Sequence, residues 1–170
     1  APSGDAVARR ILLGVPLADG YGALPTCSQL ARRSTYRAVG GFDEAFRRSE
    51  DTDFAIGLAR KGGHFVGVPT PLVTQFMTRT AEKSLEDEYR HFRRLIEKHK
   101  QVFWSEREYR FAHAWLDMKE HWLSGRTISF LLSAAALGLQ DPGLAAQRAR
   151  AAAANFKLNR AFQRFHRLEA

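Results

Sequence analysis

At 170 residues the chain is long enough for one ordinary domain with a real core, and 45% hydrophobic and 26% charged residues exclude a disordered or fibrous protein. The net charge of +8 is spread over both halves without the aromatic-interleaved basic block of a nucleic-acid groove, so nucleic acid is excluded as a partner. One cysteine, Cys27, excludes an internal disulfide and gives no metal spacing, and with no apolar run of membrane length and no signal peptide the chain reads as cytoplasmic.

In chain order, residues 5–13 (DAVARRILL) predict a short helix closed by Gly14 and Pro16, and loop follows to Pro25. Residues 26–31 alternate enough to predict a strand that delivers the chain to Arg32 and Arg33. Ser34 is placed to cap a short helix through Val39. Gly40 then supplies the left-handed residue that commonly closes a helix, and Gly41 lets the backbone turn sharply. Phe42 reads as an apolar anchor, with Asp43 and Glu44 capping the next turn. Ser49 is a natural cap for a second helix whose first turn is Glu50, Asp51, Thr52 and Asp53, where free amides and the helix dipole favour negative charge. Phe54, Ile56, Leu58 and Ala59 are its packing residues, and Lys61, Gly62 and Gly63 end it. Residues 64–68 alternate as a strand that stops at Pro69, and residues 72–76 predict another.

The run from Arg32 to Gly63 reads RRxxYxxVGGFDExFxxxEDxDFxxxLxxxGG. Acidic residues in a first helical turn usually serve helix stability, and a double glycine is usually only a turn. In this order and spacing, however, they resemble the second half of the family 2 glycosyltransferases, enzymes of the GT-A fold, and the resemblance reaches back to about residue 10. It implies transfer of a sugar from a nucleotide-diphosphate donor to an acceptor hydroxyl with inversion. It also implies Asp51 as the catalytic base and Glu50 as an acceptor contact, with Gly40 and Gly41 bringing backbone close to the bound sugar. An alcohol is a poor nucleophile, so a carboxylate must take its proton as the new bond forms, and a helix N-terminus keeps such a carboxylate ionised and aimed.

The family's nucleotide-binding half and its metal-holding DxD motif are missing from this sequence. The chain is therefore expected to be the C-terminal part of a longer enzyme and unable to transfer sugar alone. A divalent metal (Mg or Mn) is expected of the full-length enzyme and none of this chain; where relatives carry a histidine after the second strand, Gln75 stands here. Arg79 is a candidate for the donor phosphates or the acceptor, with Gln75 and Ser84 beside it.

From residue 81 the composition turns helical. Leu85, Tyr89, Phe92, Leu95 and Ile96 mark one face of a helix over 82–100. A second over 105–123 carries Tyr109, Ala112, Trp115, Leu116 and Trp122, with Ser105 and Glu108 as a capping box. Apolar residues 127–139 and alanine-rich 144–156 predict two more. Trp115, Trp122, Phe130 and Leu131 read as core, and the histidines as surface or satisfied residues. The tail alternates Phe156, Leu158, Phe162, Phe165 and Leu168 with Lys157, Arg160, Arg164 and Arg167, which suits either a membrane surface through residues 155–170 or packing on the preceding helices.

The expected architecture is thus α/β, mainly helical. Residues 1–80 form the acceptor-side half of a GT-A domain with a few short strands, and residues 81–170 an α-helical extension. The expected function is inverting glycosyl transfer to a glycan or lipid-linked acceptor in bacterial surface polysaccharide or glycoconjugate synthesis, at the inner membrane face. The alternative is a non-catalytic helical module for protein interaction or membrane-surface contact. A homodimer of the fragment is expected through an open sheet edge.

Overall fold

The computed structural model describes residues 1–17, 24–70, 72–74 and 85–154. Their regular structure is helical: α1 (Gly4–Leu13), α2 (Arg33–Val39), α3 (Glu50–Arg60), α4 (Leu85–Lys98), α5 (Glu106–Leu123), α6 (Thr127–Gln140) and α7 (Pro142–Ala154), with single 3-10 turns at Thr26–Ser28 and Lys100–Val102. The helices expected from apolar periodicity are all present, within a few residues of their expected bounds.

The expected strands are not, and the α/β assignment as part of a GT-A domain is corrected: no residue described is in a strand. Residues 26–31 begin as the 3-10 turn and continue extended, leaving Leu30 fully in solvent. Residues 64–68 form no strand ladder, although Phe65 N donates to Pro2 O at 3.3 Å. Val66, Val68, Leu72 and Val73 stay exposed. Alternation marks a strand only when a hydrogen-bonded neighbour and a covering layer exist to use it, and helices supply neither here. The expected dimerisation through a sheet edge loses its basis with them.

The core is built where helical stripes converge. Ala8, Leu12 and Leu13 of α1, Ile56 of α3, Tyr89, Leu95 and Ile96 of α4, and Phe111, Ala112, Leu116 and Met118 of α5 form one buried cluster, which Leu137 of α6 joins. Helix α1 lies on α3, and α5 on both α4 and α6. Two of the four aromatic and apolar residues read as core do belong to its margin, Trp115 and Phe130. Trp122 and Leu131 do not, being more than half exposed.

Polar ties fix how the helices meet. Arg9 is buried and grips Glu108 with both terminal nitrogens, at 2.8 and 2.7 Å, while its guanidinium stacks 3.5 Å from the Trp104 ring. A bidentate pair of this kind joins α1 to α5 with fixed geometry. The Arg9 hydrogen bonds hold the Glu108 carboxyl below its ordinary value against the opposing effect of burial. The capping box forms by half: Ser105 Oγ accepts from Glu108 N, but the Glu108 carboxylate turns to Arg9 and to Trp104 N. Ser3 Oγ donates to Gly63 O at 2.8 Å, Asp5 pairs with Arg60, and Arg148 donates to Leu12 O at 2.7 Å, so both ends of α1 are held.

Candidate functional site

The site is organised by the turn between α2 and α3. Helix α2 ends where Gly40 takes φ 100 and donates to Tyr36 O and Arg37 O; Gly41 follows at φ 78 and also donates to Tyr36 O, at 2.9 Å. Both angles lie in the left-handed region, where a side chain is strained. Among the described residues no atom lies within 4 Å of where a Cβ would stand on either residue. The backbone conformation, and not crowding by those residues, demands glycine here. Phe42 then folds back onto α3, its ring 5.2 Å from Phe54 and 5.9 Å from Tyr36, while Tyr36 and Phe54 stack at 4.8 Å. Gly57 permits the close approach of the two helices, since a Cβ there would stand 3.1 Å from Val39.

Helix α3 opens on Ser49, at φ 61 and ψ 20, the one non-glycine residue with positive φ among those described. Its side chain makes no capping bond, contrary to the expected N-cap. Left-handed backbone costs a residue with a Cβ about 1 kcal/mol. Ser49→Gly is therefore expected to raise the unfolding free energy by about 1 kcal/mol in denaturant titration, and an unchanged or lowered value would contradict the strain.

Beyond Ser49, Glu50 and Asp51 stand half-buried in the first turn. Asp51 Oδ1 accepts from Thr52 N at 2.7 Å and from Thr52 Oγ1 at 3.2 Å. Glu50 Oε1 is 3.5 Å from Thr26 Oγ1, at the limit of a hydrogen bond. Among the described residues neither carboxylate has an ion-pair partner.

Asp53, two residues on, behaves in the opposite way. It is 6% exposed, and its two oxygens bind His99 Nε2 and Lys98 Nζ, each at 2.8 Å. An ionised carboxylate only accepts, so Nε2 carries the proton donated to it. Lys98 also reaches Asp43 Oδ2 at 2.8 Å, and Asp43 Oδ1 caps Ala45 N at 2.9 Å. Burial alone would raise the Asp53 carboxyl, but the hydrogen bonds from His99 and Lys98 outweigh it and hold the group below its ordinary value. Asp53 therefore contributes stability that is complete above the unfolded-state value near 3.8 and is lost as pH falls through the lower folded value. Acid titration of stability is expected to steepen below about pH 4, with Asp53→Asn removing part of that slope. An identical acid limb in the variant would contradict it.

Asp53 turns to His99 and Lys98 while Asp51 accepts from Thr52, so the two carboxylates of Asp51-Thr52-Asp53 have different partners. Among the described residues no three His, Cys, Asp or Glu side chains gather as ligands. The Asp53–His99 contact joins residues 46 apart in sequence. Neither residue carries a motif that would have announced it; the only hint was that a buried-face position closing α4 was occupied by histidine.

Glu50 and Asp51 thus share one helix mouth. Gly40 and Gly41 are not brought to it by any contact: the end of α2 lies beside the later part of α3, where Val39 meets Gly57 and Lys61 Nζ donates to Ala38 O at 2.7 Å, and Arg79, with Gln75 and Ser84, lies outside the described residues, as does the tail 155–170. An open depression of about 510 Å³ is lined by Arg107, Arg110, Ala114 and Gln140, and draws none of its walls from α3. No helix among the described residues is long and apolar enough to cross a membrane. No family model matches the chain, and no curated protein or solved structure shows significant similarity to it.

Proposed function

We propose that this chain carries the acceptor side of an inverting glycosyl-transfer site, in which Asp51 takes the proton from an acceptor hydroxyl and Glu50 binds that acceptor. The observation that carries the reading is the contrast along one helical turn: buried Asp53 is consumed by Lys98 and a buried histidine, while half-buried Glu50 and Asp51 have no ion-pair partner among the described residues. Supporting it are the motif from Arg32 to Gly63 and the strained Ser49 that immediately precedes the pair, since backbone strain concentrates at functional sites.

Mechanistically, the dipole of α3 and the Thr52 amide keep Asp51 charged and oriented. As the acceptor oxygen attacks the anomeric carbon from the side opposite the leaving nucleotide diphosphate, its proton passes to the Asp51 carboxylate. On this reading Gly40 and Gly41, beside which no described atom stands within 4 Å of a Cβ position, let the backbone of the turn come close to the sugar. Nothing in the reading requires a sheet within this chain. The setting proposed is the cytoplasmic face of a membrane, with a glycan or lipid-linked acceptor.

The test is transfer from nucleotide sugars by the intact enzyme. Asp51→Asn is expected to abolish turnover with donor binding retained, and wild-type turnover in that variant removes Asp51 from the role.

A further inference from the structure

Helices α4, α5 and α7 enclose a cavity of about 80 Å³, away from α3 and its carboxylates. Phe92, Trp115 and Leu116 give it an apolar side, and Tyr89 and Arg148 line it too. Lys119 and Glu88 also stand in its wall, but they answer each other at 3.8 Å. That leaves the cavity with one uncompensated positive charge, at Arg148.

Two of the lining groups lack the partners their chemistry calls for. Arg148 is half-buried and fixed in place: Nη1 donates to Leu12 O at 2.7 Å, the guanidinium carbon stands 5.3 Å from the centre of the Trp115 ring, and a Cβ on Gly14 would touch Cγ, Cδ and Nη1 at 3.4 Å. No carboxylate among the described residues pairs with it, and burial, with Arg10 nearby, pulls its pKa down to about 10. Tyr89 is 4% exposed, and its buried hydroxyl has no hydrogen-bond partner among the described residues. Burial, with Glu88 and Glu120 nearby, raises the phenol pKa, so the group stays protonated and able to donate. A buried donor left unmatched, and a cation drawn from water without a counter-charge, both cost free energy that an acceptor in the cavity recovers.

From these two unmatched donors in one small cavity we infer a binding site for a short-chain carboxylate, an acid of the size of acetate or propionate. Its carboxylate accepts from the Arg148 guanidinium and the Tyr89 hydroxyl, and its alkyl end lies against Phe92, Trp115 and Leu116. The guanidinium fork matches a carboxylate in shape and charge. Size sets the chain length: the cavity is about half of the roughly 150 Å³ that admits benzene, and a single water takes about 30 Å³. Phosphate would fill a similar volume but leave the apolar side facing charged oxygens. The site is separate from the proposed transfer chemistry and does not rest on it.

The experiment is titration calorimetry and thermal unfolding of the full 170-residue chain in acetate, propionate, benzoate, phosphate and chloride at equal ionic strength. Propionate is expected to bind saturably with a Kd on the order of 1 mM, and at about 100 mM to raise Tm by about 5 °C. Benzoate, which is too large, and the two inorganic anions are expected to do neither. Arg148→Met is expected to weaken propionate at least about tenfold and Tyr89→Phe about threefold, with circular dichroism confirming that each is folded. The double variant Glu88→Gln, Lys119→Met, which removes the existing ion pair as a unit, is expected to change the affinity less than about twofold. Should Arg148→Met not fold, Tyr89→Phe decides, since it keeps the ring and removes only the hydroxyl. No saturable response to acetate or propionate at about 100 mM overturns the proposal and leaves the cavity to water. Phosphate or chloride matching propionate overturns it as well, as does propionate affinity unchanged in every folded variant of Arg148 and Tyr89.

Discussion

On the proposed function, replacing Asp51 by asparagine is expected to lower kcat for sugar transfer by about 10²- to 10⁴-fold, the usual contribution of a positioned general base. The amide is nearly the same size and can still accept from the Thr52 amide, so the helix mouth keeps its shape while the capacity to accept a proton at neutral pH disappears. Loss of kcat with nucleotide binding unchanged therefore isolates proton transfer from folding and from donor recognition. Glu50→Gln, one residue earlier, is expected to act chiefly on acceptor KM, since its proposed role is contact. Asp53→Asn is the necessary third variant. Its carboxylate serves His99 and Lys98, so its effect belongs mainly to stability, and a kcat loss equal to that of Asp51→Asn would mean that the two carboxylates cannot be assigned separate roles.

The largest expected effect on stability is at Phe111. The side chain is fully buried in α5 and stacks on Trp115 at 6.1 Å between ring centres. Phe111→Ala removes most of an aromatic side chain from a fully buried position in the core cluster, and is expected to cost about 4 kcal/mol. In a domain of this size that corresponds to a fall in Tm of about 10 °C or more, and it is a large fraction of the whole folding free energy. Phe111→Leu, which keeps much of the volume, is expected to cost far less. A change below about 1 kcal/mol for the alanine variant would mean that α5 is not the centre of the core.

Helices were legible in this sequence because each announces itself locally. The stripe through Leu85, Tyr89, Phe92, Leu95 and Ile96, the glycine after Val39 and the serine before Glu106 are all signals contained within a few turns, and α4, α2 and α5 follow them. Residues 26–31 and 64–68 misled because a strand is a property of two segments, and alternation along one says nothing about whether a partner exists. Tertiary context also explains the two aromatic and apolar residues misplaced in the core. Trp122 and Leu131 have the composition of buried residues, yet Leu131 lies more than half in solvent on α6 and Trp122 is covered only in part, where its ring meets Phe130 at 5.0 Å between centres.

At the candidate site the local features were readable and the distant ones were not. The left-handed glycines at 40 and 41 and the acidic first turn of α3 follow from residue type and position. That Asp53 turns inward while Asp51 does not depends on His99 and Lys98, brought in by a helix more than forty residues later. Ser49 shows the same limit from the other side. Its sequence position suits a cap, yet the chain reaches α3 from a direction that forces its backbone into the left-handed region and leaves the hydroxyl without that task.

The grip of Arg9 on Glu108 spans 99 residues of sequence and is closed over by the indole of Trp104. Such a clasp does not care whether the intervening peptide is continuous. A molecule cut once by protease between residues 64 and 84 should still travel as a single particle in a native gel, and come apart into two pieces only in denaturant.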